Sequence, residues 1–133
     1  MKRDDAVETT RKKPRHVFVL LVHDAGRDVA AVATRLKSEF IVREATDGFE
    51  ALAALGERRF ACVVAWVGGA ISAADFVAFV SRATEEHAPH LVLVVGNDAT
   101  DADRAYLRNT QRHWLAEPIA PDEVLALVRA VAR

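Results

Sequence analysis

The sequence of 133 residues contains a single cysteine, Cys62, so no disulfide can form within the chain. Long apolar runs are also missing: runs such as residues 17–22 and 91–96 are far shorter than the roughly 20 residues that a membrane-spanning helix needs. No apolar stretch of the signal-peptide type follows the charged N-terminus. The formal net charge is only −1 at pH 7, which provides no overall field to attract nucleic acid or an anionic membrane. We therefore expect a soluble, cytoplasmic protein with neither nucleic-acid nor membrane partners.

What the sequence does contain is typical of one globular domain. Hydrophobic residues make up 51% and charged residues 28% of the chain, which suffices for a proper core at this length. Residues 1–15 are polar and carry a cationic cluster. They are interpreted as a flexible basic leader, a solvated tail rather than a nucleic-acid or membrane contact. Residues 16–133 are interpreted as a single domain, since neither an internal repeat nor a long linker interrupts them.

Two kinds of apolar pattern alternate along the chain after this leader. Apolar segments predict strands at residues 17–22, 40–45, 60–67, 91–95 and 113–116, of which the second is expected to be partly exposed and the fifth is brief. Between and after them, apolar residues recur at helical spacing, which predicts five helices. This alternation predicts an α/β fold with a five-stranded parallel sheet between two helical layers. The doubly wound order 2-1-3-4-5 is favoured, because the second run carries Arg43 and Glu44, as an edge strand should.

The helical patterns also predict which side chains face the core. In the second helix, which Thr46 or Asp47 can cap and Gly56 should end, the large apolar residues are expected to point inward: Phe49, Leu52 and Leu55. The fourth helix, residues 100–109, is weakly apolar, and its inward side is expected to carry Ala102, Ala105 and Tyr106.

In an open parallel sheet, ligands bind beyond the carboxyl ends of the strands, at the point where the strand order reverses. For the predicted order, this crevice lies between the ends of the first, third, fourth and fifth strands. The side chains delivered there are those of His23, Asp24, Trp66, Val95 and Glu117. These residues are therefore the candidates for a functional site.

Three motifs occur in order along the chain. Val-His-Asp ends the first strand, Ala-Thr-Asp-Gly-Phe-Glu-Ala-Leu covers residues 45–52, and Trp-Leu-Ala-Glu-Pro-Ile covers residues 114–119. Together they make residues 16–133 resemble the receiver domains of bacterial two-component response regulators. The resemblance implies a flavodoxin-like receiver fold with the strand order already predicted.

Receiver domains carry an acidic pair after the first strand, a phosphoacceptor aspartate ending the third, a Thr or Ser ending the fourth, and Lys-Pro after the fifth. By this resemblance, the acidic pair falls on His23 and Asp24, and the phosphoacceptor falls on Trp66. The hydroxyl residue falls on Val95 and the lysine on Glu117. Of these positions, only the second carboxylate of the pair keeps the residue of the family.

These departures remove the chemistry of phosphoryl transfer. An indole offers no nucleophilic oxygen, valine offers no donor, and Glu117 brings negative charge to where phosphoryl oxygens need cations. Magnesium prefers oxygen ligands, usually one or two carboxylates close together, and here only Asp24 is kept. We therefore expect a degenerate receiver that is not an enzyme and holds no metal or cofactor, with the Trp66 indole as a plug. Pro118 does match the family, and the resemblance implies a cis peptide bond before it.

A second interpretation of the same residues is a small transition-metal site. Imidazole and two carboxylates are a legitimate ligand set, and here His23, Asp24 and Glu117 would supply them. Their spacing is not a metal motif, and the indole is expected to fill the space between them. The plug is therefore the favoured interpretation.

Receiver domains signal through the face formed by the fourth helix, fifth strand and fifth helix. The resemblance places the following residues on it: Asp101, Asp103, Arg104, Arg108, Arg112, Trp114, Glu117 and Arg129. Mixed charge around one aromatic residue is typical of a non-obligate interface, and equally of an ordinary solvated surface. Trp114 falls at the position of the family's aromatic switch residue.

The favoured hypothesis is a phosphorylation-independent pseudo-receiver that serves as an adaptor or scaffold in bacterial signalling. Its partner would be a histidine kinase, another regulator or a scaffold protein, and a homodimer is a further option. One alternative is a regulator that is phosphorylated on a displaced acceptor, Asp98 or Asp75. Another is a sensor that binds a small molecule in the altered pocket.

Overall fold

Strands and helices alternate without exception in the computed structural model, which describes residues 17–24, 29–68, 71–84, 88–110 and 112–132. The leader predicted for residues 1–15 lies outside the described residues. Across the described ranges, no helix has the length and apolar character needed to cross a bilayer.

Each of the five predicted strands is present, with bounds that differ from the predicted ones by at most two residues. The strands are β1 (Phe18–Val22), β2 (Ile41–Ala45), β3 (Cys62–Val67), β4 (His90–Val95) and β5 (His113–Ala116). The helices that follow them are α1 (Ala30–Lys37), α2 (Gly48–Glu57), α3 (Ala73–Ala83), α4 (Asp101–Arg108) and α5 (Pro121–Val131).

The strands form one parallel sheet in the order β2-β1-β3-β4-β5, which confirms the predicted α/β fold class and strand order. All six residues of the central strand β3 are buried, as its unbroken apolar run requires. At one edge, β2 exposes Arg43 and Glu44, and the guanidinium of Arg43 lies 2.6 Å from the Glu57 carboxylate of α2. Charges along an edge strand discourage pairing with a further strand.

The core has two layers, one on each face of the sheet. Helices α2, α3 and α4 cover one face, and α1 and α5 cover the other. Successive residues of a strand point to opposite faces, so β3 contributes to both layers. Ala65 and Val67 lie in the α2–α4 layer, whereas Val64 and Trp66 lie in the α1–α5 layer.

In α2, the residues that face the core differ from the predicted ones. Phe49 is 85% exposed and Leu52 is 40% exposed, while Ala51, Ala54 and Leu55 are buried. The prediction of Phe49 and Leu52 as core residues was therefore wrong. The helix has two apolar sides, and the side with alanines is buried because small side chains let the helix lie close to the sheet.

The start of α2 agrees with the predicted turn chemistry. Asp47 is the N-cap, and its Oδ1 accepts a hydrogen bond from the Glu50 amide at 2.8 Å. The Glu50 carboxylate in turn accepts the Thr46 amide at 2.7 Å. The helix runs to Glu57, one residue beyond the predicted end at Gly56.

The inward side of α4 agrees with the prediction in part: Tyr106 packs against the core, but Ala102 is exposed and the buried residues are Asp103 and Leu107. Asp103 is only 5% exposed. Its assignment to the solvent-facing interaction face was therefore wrong. Its carboxylate accepts the Ala73 amide at 2.9 Å and the Thr100 amide at 3.1 Å. Because Ala73 begins α3 and Thr100 caps α4, one carboxylate holds the N-terminal ends of both helices.

Replacing Asp103 by alanine is expected to lower the free energy of unfolding by about 1–3 kcal/mol, since two amide N–H groups lose their acceptor. Asp103→Asn keeps one acceptor oxygen and should cost less. Urea denaturation followed by circular dichroism measures both. The control is Asp101→Ala, at an exposed position of the same helix turn, which should change stability by less than about 0.5 kcal/mol. Equal stabilities for the two alanine variants would contradict the role of Asp103.

Candidate functional site

The side chain of Trp66 lies at the carboxyl end of the central strand, next to last in β3. It is 2% exposed and packs in the α1–α5 layer of the core, which also contains Val64 and Val94. A buried indole needs a hydrogen-bond partner for its N–H group, which can only donate. The position of Trp66 therefore raises the question of what accepts this hydrogen bond.

Glu117 is the acceptor. The Trp66 Nε1 donates to Glu117 Oε2 at 3.2 Å, and the amide of Asn97 donates to Glu117 Oε1 at 3.1 Å. The amide of Glu117 itself donates to the Val95 carbonyl at 2.9 Å. One carboxylate thus connects the ends of β3, β4 and β5. A lysine at this position, which has no acceptor, could not bind the indole, so Trp66 and Glu117 are chemically matched.

His23 faces away from this pair, towards the edge strand β2. It is 8% exposed, and its Nε2 lies 3.1 Å from Glu44 Oε1. Lys37 contacts the other oxygen of Glu44 at 3.5 Å. Asp24, which is half-buried, contributes its carbonyl oxygen at 3.4 Å from His23 Nδ1. The imidazole is therefore part of the β1–β2 side of the sheet.

The alternative metal site does not assemble. Among the residues that the structure describes, no three His, Cys, Asp or Glu side chains are grouped so that they could hold a metal ion. The reason is that His23 pairs with Glu44 while Glu117 pairs with Trp66 and Asn97. The sequence placed these residues at one edge of the sheet but could not show which way each side chain turns.

The two remaining predicted positions, Val95 and Pro118, also lie at the carboxyl ends of the strands. Val95 is 2% exposed and lies in the α2–α4 layer, on the other face of the sheet from Trp66. The peptide bond between Glu117 and Pro118 is cis, as the resemblance implied.

The loop after β3 lies against the loop after β4, a contact that the sequence analysis missed. Gly68 has a φ of 126°, and a Cβ there would lie 2.5 Å from Asp98 Oδ1 and 3.1 Å from the Ala99 nitrogen. Glycine is therefore required both by the backbone conformation and by the space. The Gly-Gly pair in the sequence was the available signal, but it did not indicate which segment comes close.

The residues of the predicted interaction face do not all lie on one exposed surface in the structure. Arg108, Arg112 and Trp114 are exposed, the last by 40%. Arg104 is half-buried, and its guanidinium lies 3.4 Å from the Gly96 carbonyl. Gly96 precedes Asn97, whose amide is held by Glu117. A chain of contacts therefore leads from the Trp66 indole to the surface of α4.

Arg129 does not lie with these residues, and its assignment to the same face was wrong. Its Nε donates to Glu39 Oε1 at 2.8 Å, and a second guanidinium nitrogen binds the other carboxylate oxygen. Glu39 follows α1, so Arg129 points to the α1–α5 side. The hydrogen bond from Arg129 lowers the pKa of the Glu39 carboxyl and raises the pKa of the guanidinium. Helical position alone did not show which side of α5 this residue occupies.

A double-mutant cycle should measure the pairing of Trp66 with Glu117. Trp66→Phe removes a hydrogen bond to a carboxylate and part of a buried ring, and should lower the free energy of unfolding by about 1.5–3 kcal/mol. Glu117→Lys leaves the buried indole N–H without an acceptor and should cost about 1–3 kcal/mol. The double variant should lose less stability than the two single variants together, because it contains no indole N–H that the lysine could leave without an acceptor. Strict additivity in urea denaturation would show that the two side chains are not coupled.

No protein-family model and no curated protein matches this sequence, but many solved structures match the fold. The chemotaxis response regulator CheY4 of Vibrio cholerae superposes with a TM-score of 0.68 at 22% identity, over 86% of this chain and 98% of that one. The receiver domain of the sensor histidine kinase PA1611 from Pseudomonas aeruginosa PAO1, solved with magnesium in its active site cleft, gives 0.72 at 17% identity, over 87% and 97%.

The signal receiver domain of a response regulator from Bermanella marisrubri gives a TM-score of 0.72 at 20% identity, over 87% of this chain and 98% of that one. At these identities the likeness establishes the fold alone. The chain has the five-stranded α/β fold of CheY-like response-regulator receiver domains.

Proposed function

We propose that this chain is a pseudo-receiver, a domain of receiver fold that accepts no phosphoryl group and acts by binding a protein partner in two-component signalling. The observation that carries the proposal is the buried indole of Trp66, hydrogen-bonded to Glu117 at the end of the central strand. In the receiver domains that the sequence resembles, these two positions hold the phosphoacceptor aspartate and the lysine.

Each group at this edge of the sheet opposes phosphoryl transfer. Trp66 has no nucleophilic oxygen, and Val95 has no hydroxyl to donate. The carboxylate of Glu117 would repel the oxygens of an incoming phosphoryl group, which need positive charge. His23 stands in place of one magnesium-binding carboxylate and is engaged with Glu44. A single substitution could be compensated, but all of these act in the same direction.

The proposed binding surface consists of Arg108, Arg112 and Trp114, on α4, the loop after it and β5. All three side chains are exposed, and tryptophan and arginine are the residues most enriched among binding hot spots. Two exposed guanidinium groups and one exposed indole favour a partner with an acidic surface and an apolar pocket. A histidine kinase, another regulator or a scaffold protein of a bacterial pathway would present such a surface.

Binding through this surface should be constitutive. A ligand shifts an equilibrium only if it interacts differently with the two states, and a domain that takes up no phosphoryl group lacks that ligand. Arg104 ties α4 to the loop that Glu117 holds. The Trp66–Glu117 pair thus supports one fixed arrangement of the proposed surface, which suits an adaptor better than a switch.

Incubation with acetyl phosphate and magnesium should leave the intact mass of the protein unchanged, because no carboxylate stands at the position of Trp66. A receiver domain with a complete phosphorylation site, treated in parallel, shows that the phosphodonor is active. A mass gain of one phosphoryl group would contradict the proposal. If Asp98→Asn or Asp75→Asn abolished that mass gain, the alternative of a regulator phosphorylated on a displaced acceptor would replace the pseudo-receiver proposal.

Affinity capture from native lysate, followed by titration of the purified partner, tests the binding surface. Trp114→Ala should raise the dissociation constant by about thirtyfold, as for a central hot spot of roughly 2 kcal/mol. Arg59→Ala, at an exposed arginine before β3, is the matched control and should leave binding unchanged. The phosphodonor should have no effect. A partner that binds the Trp114 variant as tightly as the native chain would contradict the proposed surface.

A further inference from the structure

The outward side of α3 carries two opposite charges with an apolar stretch between them. Asp75 and Arg82 are seven residues apart, so they lie on the same side of the helix about two turns from each other. Both are exposed, and within the described part of the chain neither side chain has an ion pair or hydrogen bond. Ala78, which is exposed, and Phe79, which is half-buried, lie between them. These four residues are called the α3 face.

A depression with both polar and apolar lining runs beside the α3 face, between α3 and the start of α2. Gly48, Ile71 and Phe79 are among the residues that line it, and a Cβ on Gly48 would lie 4.0 Å from the Phe79 ring. On α2, which begins at this depression with Gly48, two large apolar side chains are exposed: Phe49 by 85% and Leu52 by 40%. An exposed apolar surface rimmed by charges marks an interaction site.

We propose that the α3 face binds the same face of a second copy of the chain about a twofold axis. With the two α3 helices antiparallel and the axis between Ala78 and Phe79, Asp75 of each copy opposes Arg82 of the other. The same register sets the small Ala78 opposite the large Phe79. A twofold interface requires a surface that complements itself, and the α3 face does so in both charge and size.

The two opposite charges of the α3 face favour a second copy of the chain over a partner whose surface carries charges of one sign. A wholly acidic or wholly basic partner would attract one end of the α3 face and repel the other. The interface is small, since the 11 residues of α3 span only about 16 Å. Small interfaces belong to weak complexes, so we expect a dissociation constant on the order of micromolar.

Sedimentation velocity over a concentration series should show a monomer–dimer equilibrium that charge reversal controls. Asp75→Arg and Arg82→Asp should each raise the dissociation constant by about tenfold or more, because each places like charges together at both ends. The double variant restores both pairs and should return it to within about threefold of the native value. Asp101→Arg, an exposed carboxylate in the first turn of α4, is the matched control and should have no effect.

Cross-linking tests the position of the axis. Ala78→Cys places a thiol beside the axis, and mild oxidation should join two copies through it. The native Cys62 does not compete, because it is fully buried and burial raises the pKa of its thiol to about 12. Ala74→Cys is the matched control: in the proposed register, its two copies are displaced by about 13 Å along the helices, too far for a disulfide.

A chain that stays monomeric at every concentration overturns the proposal, and so does a dimer that both single charge reversals leave intact. If a charge variant fails to fold, Ala78→Glu decides, since Ala78 is exposed and a carboxylate beside the axis would meet its own copy and should weaken the dimer. The α3 face shares no residue with the surface proposed for the signalling partner. Failure of one proposal therefore leaves the other standing.

Discussion

The hydrogen bond from the Trp66 indole to Glu117 is the interaction on which the carboxyl edge of the sheet depends. A buried N–H without an acceptor would cost the fold about 1–3 kcal/mol, so a tryptophan at this position requires a nearby acceptor. Glu117 provides it and also binds the Asn97 amide. The ends of β3, β4 and β5 are thereby joined by one side chain.

This arrangement has consequences at the surface. The loop that begins with Gly96 and Asn97 is held from one side by Glu117 and contacted from the other by the Arg104 guanidinium. Asp103, on the same helix, fixes the starts of α3 and α4 to each other. Each proposed binding surface thus includes part of a helix that buried or half-buried polar contacts hold in place, which favours permanent binding surfaces over a switch.

The sequence was sufficient for the fold and identified Trp66 and Glu117, but it gave neither the directions of the side chains nor their partners Asn97 and Glu44. The strand order followed from the apolar runs and the charges of the edge strand, and the structure confirms it. The core side of α2 could not be predicted, because the helix has two apolar sides with the same spacing. Phe49 and Leu52 lie on one side, and Ala51 and Ala54 lie on the other. Asp103 was wrongly predicted to be exposed, because a polar residue in a weakly apolar helix normally faces solvent.

By itself, the sequence determined which elements form, how they are ordered and which residues meet at the carboxyl edge, since apolar periodicity and turn residues act locally. Only the tertiary structure decided that Trp66 pairs with Glu117, that His23 turns to Glu44 and that Arg129 turns to Glu39. These choices depend on contacts between residues far apart in the chain. Hydrogen bonds of buried groups are satisfied by whichever partner packing brings within reach, and no local pattern encodes that partner.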